Sequence, residues 1–294
     1  MVSSSYDAAS LFGVKDLVAV ITGGGSGLGA ITAHALVANG AKAVYILGRR
    51  KEALISTREK STNPHVVHPV VCDVTSKEGL TAAVDRIRSE IGYVDILFAN
   101  SGINIAGTGS IDGNDDVKTM QDRMWKPKME DFTSNLHVNV TGAYYTAVAF
   151  LDLLDQGNKR AVVPEKSQIV LTSSGASFSR MPYSGFAYSA SKAAVTHMTK
   201  QLSTTLAPHK IRVNAIAPGF FASEMTQDQP FMKTAGDPRE EGALDSKTVP
   251  LGRIGTEEDY AGVILFLASK AGAYMNGTIV LVDGGRIAQI PNSY

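Results

Sequence analysis

Between residues 18 and 40 an apolar run, Val18-Ala-Val-Ile-Thr22, breaks into Gly23-Gly24-Gly25-Ser26-Gly27-Leu28-Gly29 and then opens onto an Ala-rich helical pattern closed by Asn39-Gly40. A strand, a glycine turn and a helix start in that order build an anion site. Missing side chains let backbone N–H groups and the positive end of the helix reach a phosphate. Glycine clusters also serve plain turns through their positive φ. The buried strand before this one and the helix after it are what make it a dinucleotide cradle.

The rest of the chain fits one α/β domain. From Leu17 onward, short β-rich apolar runs at 17–22, 43–47, 66–72, 96–100, 168–172, 211–217 and 278–282 alternate with helical patterns at 28–39, 51–59, 77–91, 128–154, 185–206 and 257–268. That rhythm is the one of parallel strands joined by right-handed crossovers. It predicts a Rossmann-like, doubly wound sheet of seven parallel strands across 16–294, preceded by an irregular arm at 1–15. With 294 residues and 44% apolar content, the chain can bury one large core. Two stretches, 103–128 and 220–250, are loose enough to read as substrate loops.

Charge and composition narrow the partners. Lys plus Arg equals Asp plus Glu at 28 each, so no broad basic field exists to hold nucleic acid or an anionic membrane. No apolar run approaches the span of a membrane helix, and Met1 to Ser10 lacks the basic end and apolar core of a signal peptide, so the expected location is cytoplasmic. Cys72 is the only cysteine, which leaves neither an internal disulfide framework nor a thiolate cluster for zinc. Asp112-Gly-Asn-Asp-Asp116 could open a calcium loop, but counting from Asp112 the sixth position is Val117 and the twelfth Arg123, where such a loop needs Gly and Glu. The closest histidine pair, His65 and His68, has no partner carboxylates. No metal is expected.

The chemistry is carried by Tyr188-Ser-Ala-Ser-Lys192 inside an Ala-rich helical stretch. A spacing of four puts a phenol and an ammonium on one helix face. A hydride delivered to a carbonyl leaves an alkoxide that needs a proton, and a nearby lysine cation is expected to bring the tyrosine pKa down toward the working pH. Tyr-x-x-x-Lys also arises on any amphipathic surface helix. What weighs against that here is Ile169-Val-Leu-Thr-Ser173-Ser174-Gly175, an apolar strand ending in hydroxyls upstream. Either strand-end hydroxyl, Ser174 or Ser173, can orient a carbonyl oxygen beside the phenol.

The spacing Thr-Gly-x-x-x-Gly-x-Gly, the serine-bearing strand end and Tyr-x-x-x-Lys together resemble the classical short-chain dehydrogenase/reductase family over about 17–285. The resemblance implies cofactor contacts at Gly23, Gly25, Ser26, Gly27, Leu28 and Gly29, at Asp73 and Val74 after the third strand, and at Asn100 and Gly102 after the fourth. In Ala99-Asn100-Ser101-Gly102 the first Asn and the Ala of the family's usual Asn-Asn-Ala-Gly are replaced. It adds Asn139, which would hold a helix distortion and a water linking Lys192 to solvent. After Pro218-Gly219 it implies nicotinamide contacts at Gly219, Phe221 and Ser223, with Tyr188 and Lys192 also meeting the cofactor.

An acid about 20 residues past the glycines binds the adenosine ribose, whereas arginine there pairs with a 2′-phosphate. The second strand ends Gly48-Arg49-Arg50-Lys51 with no carboxylate, which favours NADP(H) over NAD(H) through Arg49. Ser26 stands where many NADP-preferring relatives carry a base.

The reading is an NADP(H)-dependent oxidoreductase acting on the carbonyl, alcohol or imine of a small, largely apolar substrate. The loops supply Met120, Met124, Trp125, Phe220, Phe221, Met225, Phe231 and Met232 for an apolar, adaptable pocket. Acyl-carrier-bound ketoesters are the second substrate class. Residues 103–128 and 156–166 resemble fungal branches that modify secondary metabolites, and the family implies a homodimer or homotetramer. A non-catalytic nucleotide sensor, or non-redox chemistry such as dehydration, isomerisation or cyclisation in the same pocket, are the alternatives.

Overall fold

The computed structural model describes residues 6–105, 114–234 and 236–294. Seven parallel strands form one sheet: Val18–Thr22 (β1), Ala43–Gly48 (β2), Val67–Val71 (β3), Ile96–Ala99 (β4), Gln168–Thr172 (β5), Arg212–Pro218 (β6) and Ile279–Val282 (β7). Their order is β3-β2-β1-β4-β5-β6-β7. The chain winds outward from β1 to β3, then returns to lay β4 against the other side of β1. That reversal opens a crevice at the carboxyl ends of the strands.

Alternation along each strand sorts the side chains into two cores, and both faces of the sheet are covered, which is why the strands read as continuous apolar runs. Val18 and Val20 face a layer made by Lys77–Glu90 (α4) and Phe186–Leu206 (α9), whereas Ala19 and Ile21 face Gly27–Ala38 (α2) and Glu257–Ala268 (α10). Lys51–Glu59 (α3) adds Leu54 to the second layer. Local chemistry sets the helix starts. The Ser76 hydroxyl accepts from Gly79 N–H at 3.0 Å, and Thr256 and Asp259 form a reciprocal capping box. Buried Asp95 accepts from Val18 N–H at 2.8 Å, tying the start of β1 to β4; burial pushes its carboxyl up to about 6.

Three segments depart from the sequence reading. The single helix expected at 128–154 is Met129–Leu136 (helix α6), a π-turn at His137–Gly142, Ala143–Ala149 (α7) and, past a break at Phe150, Leu151–Arg160 (α8). A π-turn inside a helix has no composition signal of its own, so the segments on either side read as one helix in the sequence. Helix α8 also absorbs the start of the 156–166 stretch. Its Gly157 presses on β4's approach, where a Cβ would lie 2.3 Å from the Val94 carbonyl oxygen. Within 103–128, Val117–Trp125 forms helix α5, capped by Asp116 accepting from Lys118 and Thr119 N–H at 2.9 Å; 106–113, with Asp112 and Gly113, lie outside the described residues. The N-terminal arm, expected to be irregular, carries a short helix at Ala8–Phe12 (α1), capped by Asp7. No helix among the described residues is long and apolar enough to cross a membrane.

Candidate active site

A cleft of about 910 Å³ lies along the carboxyl ends of β1, β2, β4, β5 and β6. At one side stands the glycine turn. Gly23, Gly25, Ser26, Gly27 and Leu28 line it, with Gly23 and Gly27 at φ of +67° and +50°, a backbone region that favours glycine. Ser26 is the N-cap of α2, yet its side chain caps none of the N–H groups of that first turn. Gly29 does not line the cleft. It sits behind the turn, where a Cβ would be 2.2 Å from the Gly23 carbonyl oxygen, and so shapes the cradle rather than facing its contents.

Past β3, Asp73 accepts from Thr75 N–H at 2.9 Å and from its hydroxyl at 2.7 Å. These bonds, joined by the charge of Arg49, hold its carboxyl below the usual range. Arg49, Asp73 and Val74 line the same wall. Arg50, one residue on, is not available to a ligand on equal terms. It donates to Glu224 at 2.6 Å, and Ser26 donates to the same carboxylate at 3.3 Å, a bridge across the cleft that no sequence motif announced.

Asn100 knits three strand ends. Its N–H donates to the Thr22 hydroxyl at 3.0 Å, its amide to the Thr22 carbonyl at 3.1 Å, and its Oδ1 accepts from Thr172 at 3.1 Å. Gly102 follows, so close to Lys192 and Asn139 that a Cβ would meet Nζ at 3.3 Å and Oδ1 at 3.2 Å. Asn139 lies on the π-turn behind the cleft, not in its lining. It accepts from Ile103 N–H at 2.8 Å and donates to the Ile103 carbonyl at 3.0 Å and to Ser191 at 2.9 Å. Asn139 thereby clamps the loop after β4 to the π-turn.

At the floor, Gly185 with φ +81° starts α9, placing Tyr188 in its first turn and Lys192 one turn further. The Lys192 Nζ lies 5.7 Å from the Tyr188 ring centre and donates to the Thr172 carbonyl at 2.7 Å. The two serines part company. Ser173 is buried, bonded to Thr196 at 2.7 Å and to the Lys192 carbonyl at 3.2 Å. Ser174 is the one hydrogen-bonded to the Tyr188 phenol, and it also accepts from Ala176 N–H at 3.1 Å.

Electrostatics differ from the sequence expectation at one point. The phenol of Tyr188 is pushed up, not down, because loss of solvent outweighs the hydrogen bond with Ser174. Burial brings the Lys192 ammonium down to about 8.

The far wall follows β6. Gly219 packs so tightly on the turn after β7 that a Cβ would sit 2.6 Å from Asp283 Cα. The Phe221 ring is buried against Tyr260, leaving backbone toward the cleft, and its carbonyl accepts from Thr226 at 2.7 Å. Ser223 hydrogen-bonds Thr226 at 3.0 Å and nearly touches Gly27 across the cleft. Of the apolar loop residues expected in the pocket, Phe221 and Met225 line the cleft, while Trp125 is 85% exposed and Phe220 stacks on Phe231 instead. Among the described residues no group of three or more His, Cys, Asp or Glu could hold a metal ion.

A doubly wound parallel sheet with a glycine cradle and a Ser-Tyr-Lys cluster in one cleft defines a dinucleotide-type oxidoreductase. A family model described as enoyl-(acyl carrier protein) reductase matches residues 23–286. The short-chain dehydrogenase/reductase PhomF of the fungus Diaporthe leptostromiformis is 43% identical over 293 residues, covering 100% of this chain and 99% of that protein. Among solved structures, the RhlG/NADP active-site complex of Pseudomonas aeruginosa superposes with a TM-score of 0.78 at 28% identity, over 95% of this chain and 99% of that one. The 3-ketoacyl-(acyl-carrier-protein) reductase of Brucella melitensis complexed with NADH gives 0.75 at 26%, over 93% and 99%. The chain belongs to the short-chain dehydrogenase/reductase family.

Proposed function

We propose that this protein is an NADP(H)-dependent reductase of a small carbonyl or imine substrate, working reversibly on the alcohol. The observation that carries the reading is the Ser174–Tyr188 contact over Lys192, at the floor of the cleft that the glycine turn also lines. The residues fit a dinucleotide. Ser26 leaves the first turn of α2 without a side-chain cap, glycines leave room for a phosphate, and Arg49 lines the wall where a 2′-phosphate would need a cation.

When bound, reduced nicotinamide supplies a hydride to the carbonyl carbon. Ser174 donates a hydrogen bond to the carbonyl oxygen and holds it beside the phenol. Tyr188 then gives that oxygen its proton, so that carbonyl, hydride and proton balance to an alcohol. Lys192 stabilises the phenolate left behind, and Asn139 keeps the π-turn and Ile103 in register behind it. Gly219, Phe221 and Ser223 orient the nicotinamide end, and Asp73, Val74, Asn100 and Gly102 the adenosine side. Exposed Phe132, Tyr144 and Val148 on the outer helices support a homodimer or homotetramer, checked by sedimentation. The test of the activity is NADPH oxidation with a panel of aromatic ketones, cyclic imines, sugars and acyl thioesters. Stoichiometric loss of NADPH with any of the first two supports the reading, and no turnover with any of the panel removes it.

Two results follow. Arg49→Asp replaces attraction with repulsion at the 2′-phosphate, and the ratio of kcat/KM for NADPH over NADH is expected to fall about 10-fold or more. Equal use of both coenzymes by the unaltered protein contradicts the assignment. The second concerns pH. Lys192 is cationic below about 8 and neutral above, while the raised Tyr188 pKa keeps the phenol protonated. The kcat/KM for reduction is therefore expected to be flat below that value and to fall as pH rises through it. In Lys192→Met this descent disappears from a uniformly lowered profile.

A further inference from the structure

Arg286 follows β7 on the same edge of the sheet as the cleft, and it is half-buried. Its guanidinium carbon lies 4.2 Å from the Phe220 ring centre and 5.3 Å from that of Tyr183. Phe220 stacks in turn on Phe231, with centres 3.8 Å apart and planes 7° from parallel. This column joins the loop after β6, the loop before α9 and the turn after β7, and it fixes the guanidinium's position. One corner is used, since Nη1 donates to the Thr248 carbonyl at 2.9 Å.

Among the described residues no acceptor meets Nε or Nη2, and no carboxylate pairs with the group. The nearby Asp283 is engaged elsewhere, accepting from Gly285 N–H at 3.0 Å and Ile287 N–H at 2.7 Å. Other arginines of this fold that are tied down have partners. Arg50 has Glu224, Arg253 has Asp259, and buried Arg212 donates to the carbonyls of Lys166, Gly272 and Met275. Burial lowers the Arg286 pKa from its ordinary value, and the charges of Tyr183 and Asp283 offset this only in part. A planar guanidinium held by rings, with its Nε–Nη2 side unused, is the arrangement that accepts a carboxylate through two parallel hydrogen bonds.

The cluster adjoins the Ser174–Tyr188 end of the cleft through its chain neighbours, although Arg286, Phe220 and Tyr183 do not themselves line it. Phe220 follows the cleft-lining Gly219, and Tyr183 stands five residues before Tyr188. Ile287, next to Arg286, packs where a Cβ on Gly175 would meet it at 3.5 Å, and Gly175 adjoins Ser174. We propose that Arg286 is an anion anchor, so that the natural substrate is a carbonyl compound bearing a carboxylate, gripped by Nε and Nη2 while its carbonyl lies at Ser174 and Tyr188. The proposal rests on the reductase reading above.

The probes are aryl keto acids with one to four methylenes between carbonyl and carboxylate, each beside its methyl ester. For the best-fitting length, the acid is expected to exceed its ester about 10- to 100-fold in kcat/KM, through KM, in the unaltered enzyme. Arg286→Met is expected to erase the difference while leaving kcat for the ester in place. Arg286→Lys, which keeps the charge but loses the fork, covers the case in which the first variant does not fold, and it is expected to lose most of the preference. Equal acid and ester at every length, or a preference that survives in the variants, overturns the proposal. Calorimetric binding of the same pairs to Tyr188→Phe separates the two readings. An acid preference in binding with no reduction by the unaltered enzyme keeps the anchor and discards the reductase, whereas reduction of ketones without any acid preference does the reverse.

Discussion

Tyr188→Phe is expected to lower the rate of carbonyl reduction about 10³-fold, with coenzyme affinity unchanged. The substitution removes one hydroxyl and nothing else: the ring keeps its place above Lys192, and Ser174 retains its bond from Ala176 N–H. What is lost is the acid that meets the developing alkoxide. Ser173→Ala provides the contrast. Its hydroxyl is bonded to Thr196 and the Lys192 carbonyl, so its removal is expected to appear in the melting temperature and not in kcat. Single-turnover rates with preloaded NADPH read the chemical step, and coenzyme fluorescence titration reads binding. A Tyr188→Phe variant with the turnover of the unaltered protein would mean that the proton comes from elsewhere.

Gly29→Ala is expected to abolish coenzyme binding and to destabilise the fold. The added Cβ would lie 2.2 Å from the Gly23 carbonyl oxygen and 2.8 Å from the Asn100 amide. Neither neighbour can yield cheaply, since one is backbone and the other is the group that knits β1, β4 and β5. The turn must open, which moves the N–H donors of α2 off the phosphate. A loss of about 1–3 kcal/mol is the ordinary cost of such overpacking. Gly262→Ala, in α10 with open space around it, is the control and is expected to be neutral or stabilising. Thermal unfolding with and without NADPH measures both effects. If Gly29→Ala keeps the coenzyme-induced rise in melting temperature, the cradle has been misassigned.

These two residues also mark what could be read in the chain before its structure. Gly29 and Tyr188 belong to local patterns, a strand broken by glycines and a four-residue helical spacing, and such patterns survive in one dimension. The seven strands were legible for the same reason, because burial on both faces writes them as apolar runs. Asn139 was legible only through the family it resembles. Its use depends on a π-turn and on Ile103, 36 residues away, neither of which leaves a periodic trace. The Glu224–Arg50 bridge spans 174 residues, so nothing local could announce it. Trp125 misled because an aromatic in a loose stretch resembles a pocket residue, whereas Asp116 starts a helix there that carries it to the surface. The Tyr188 pKa went the other way for a physical reason. Spacing reports that a cation is near, but the balance against desolvation is decided by how the floor of the cleft is packed.

The most direct measurement follows a label. Turnover with NADPH carrying deuterium on the transferable C4 position should place one deuterium on the carbinol carbon for each NADPH consumed, with the hydroxyl proton coming from solvent. Conversion of substrate with the deuterium retained on the coenzyme would contradict hydride transfer at this site.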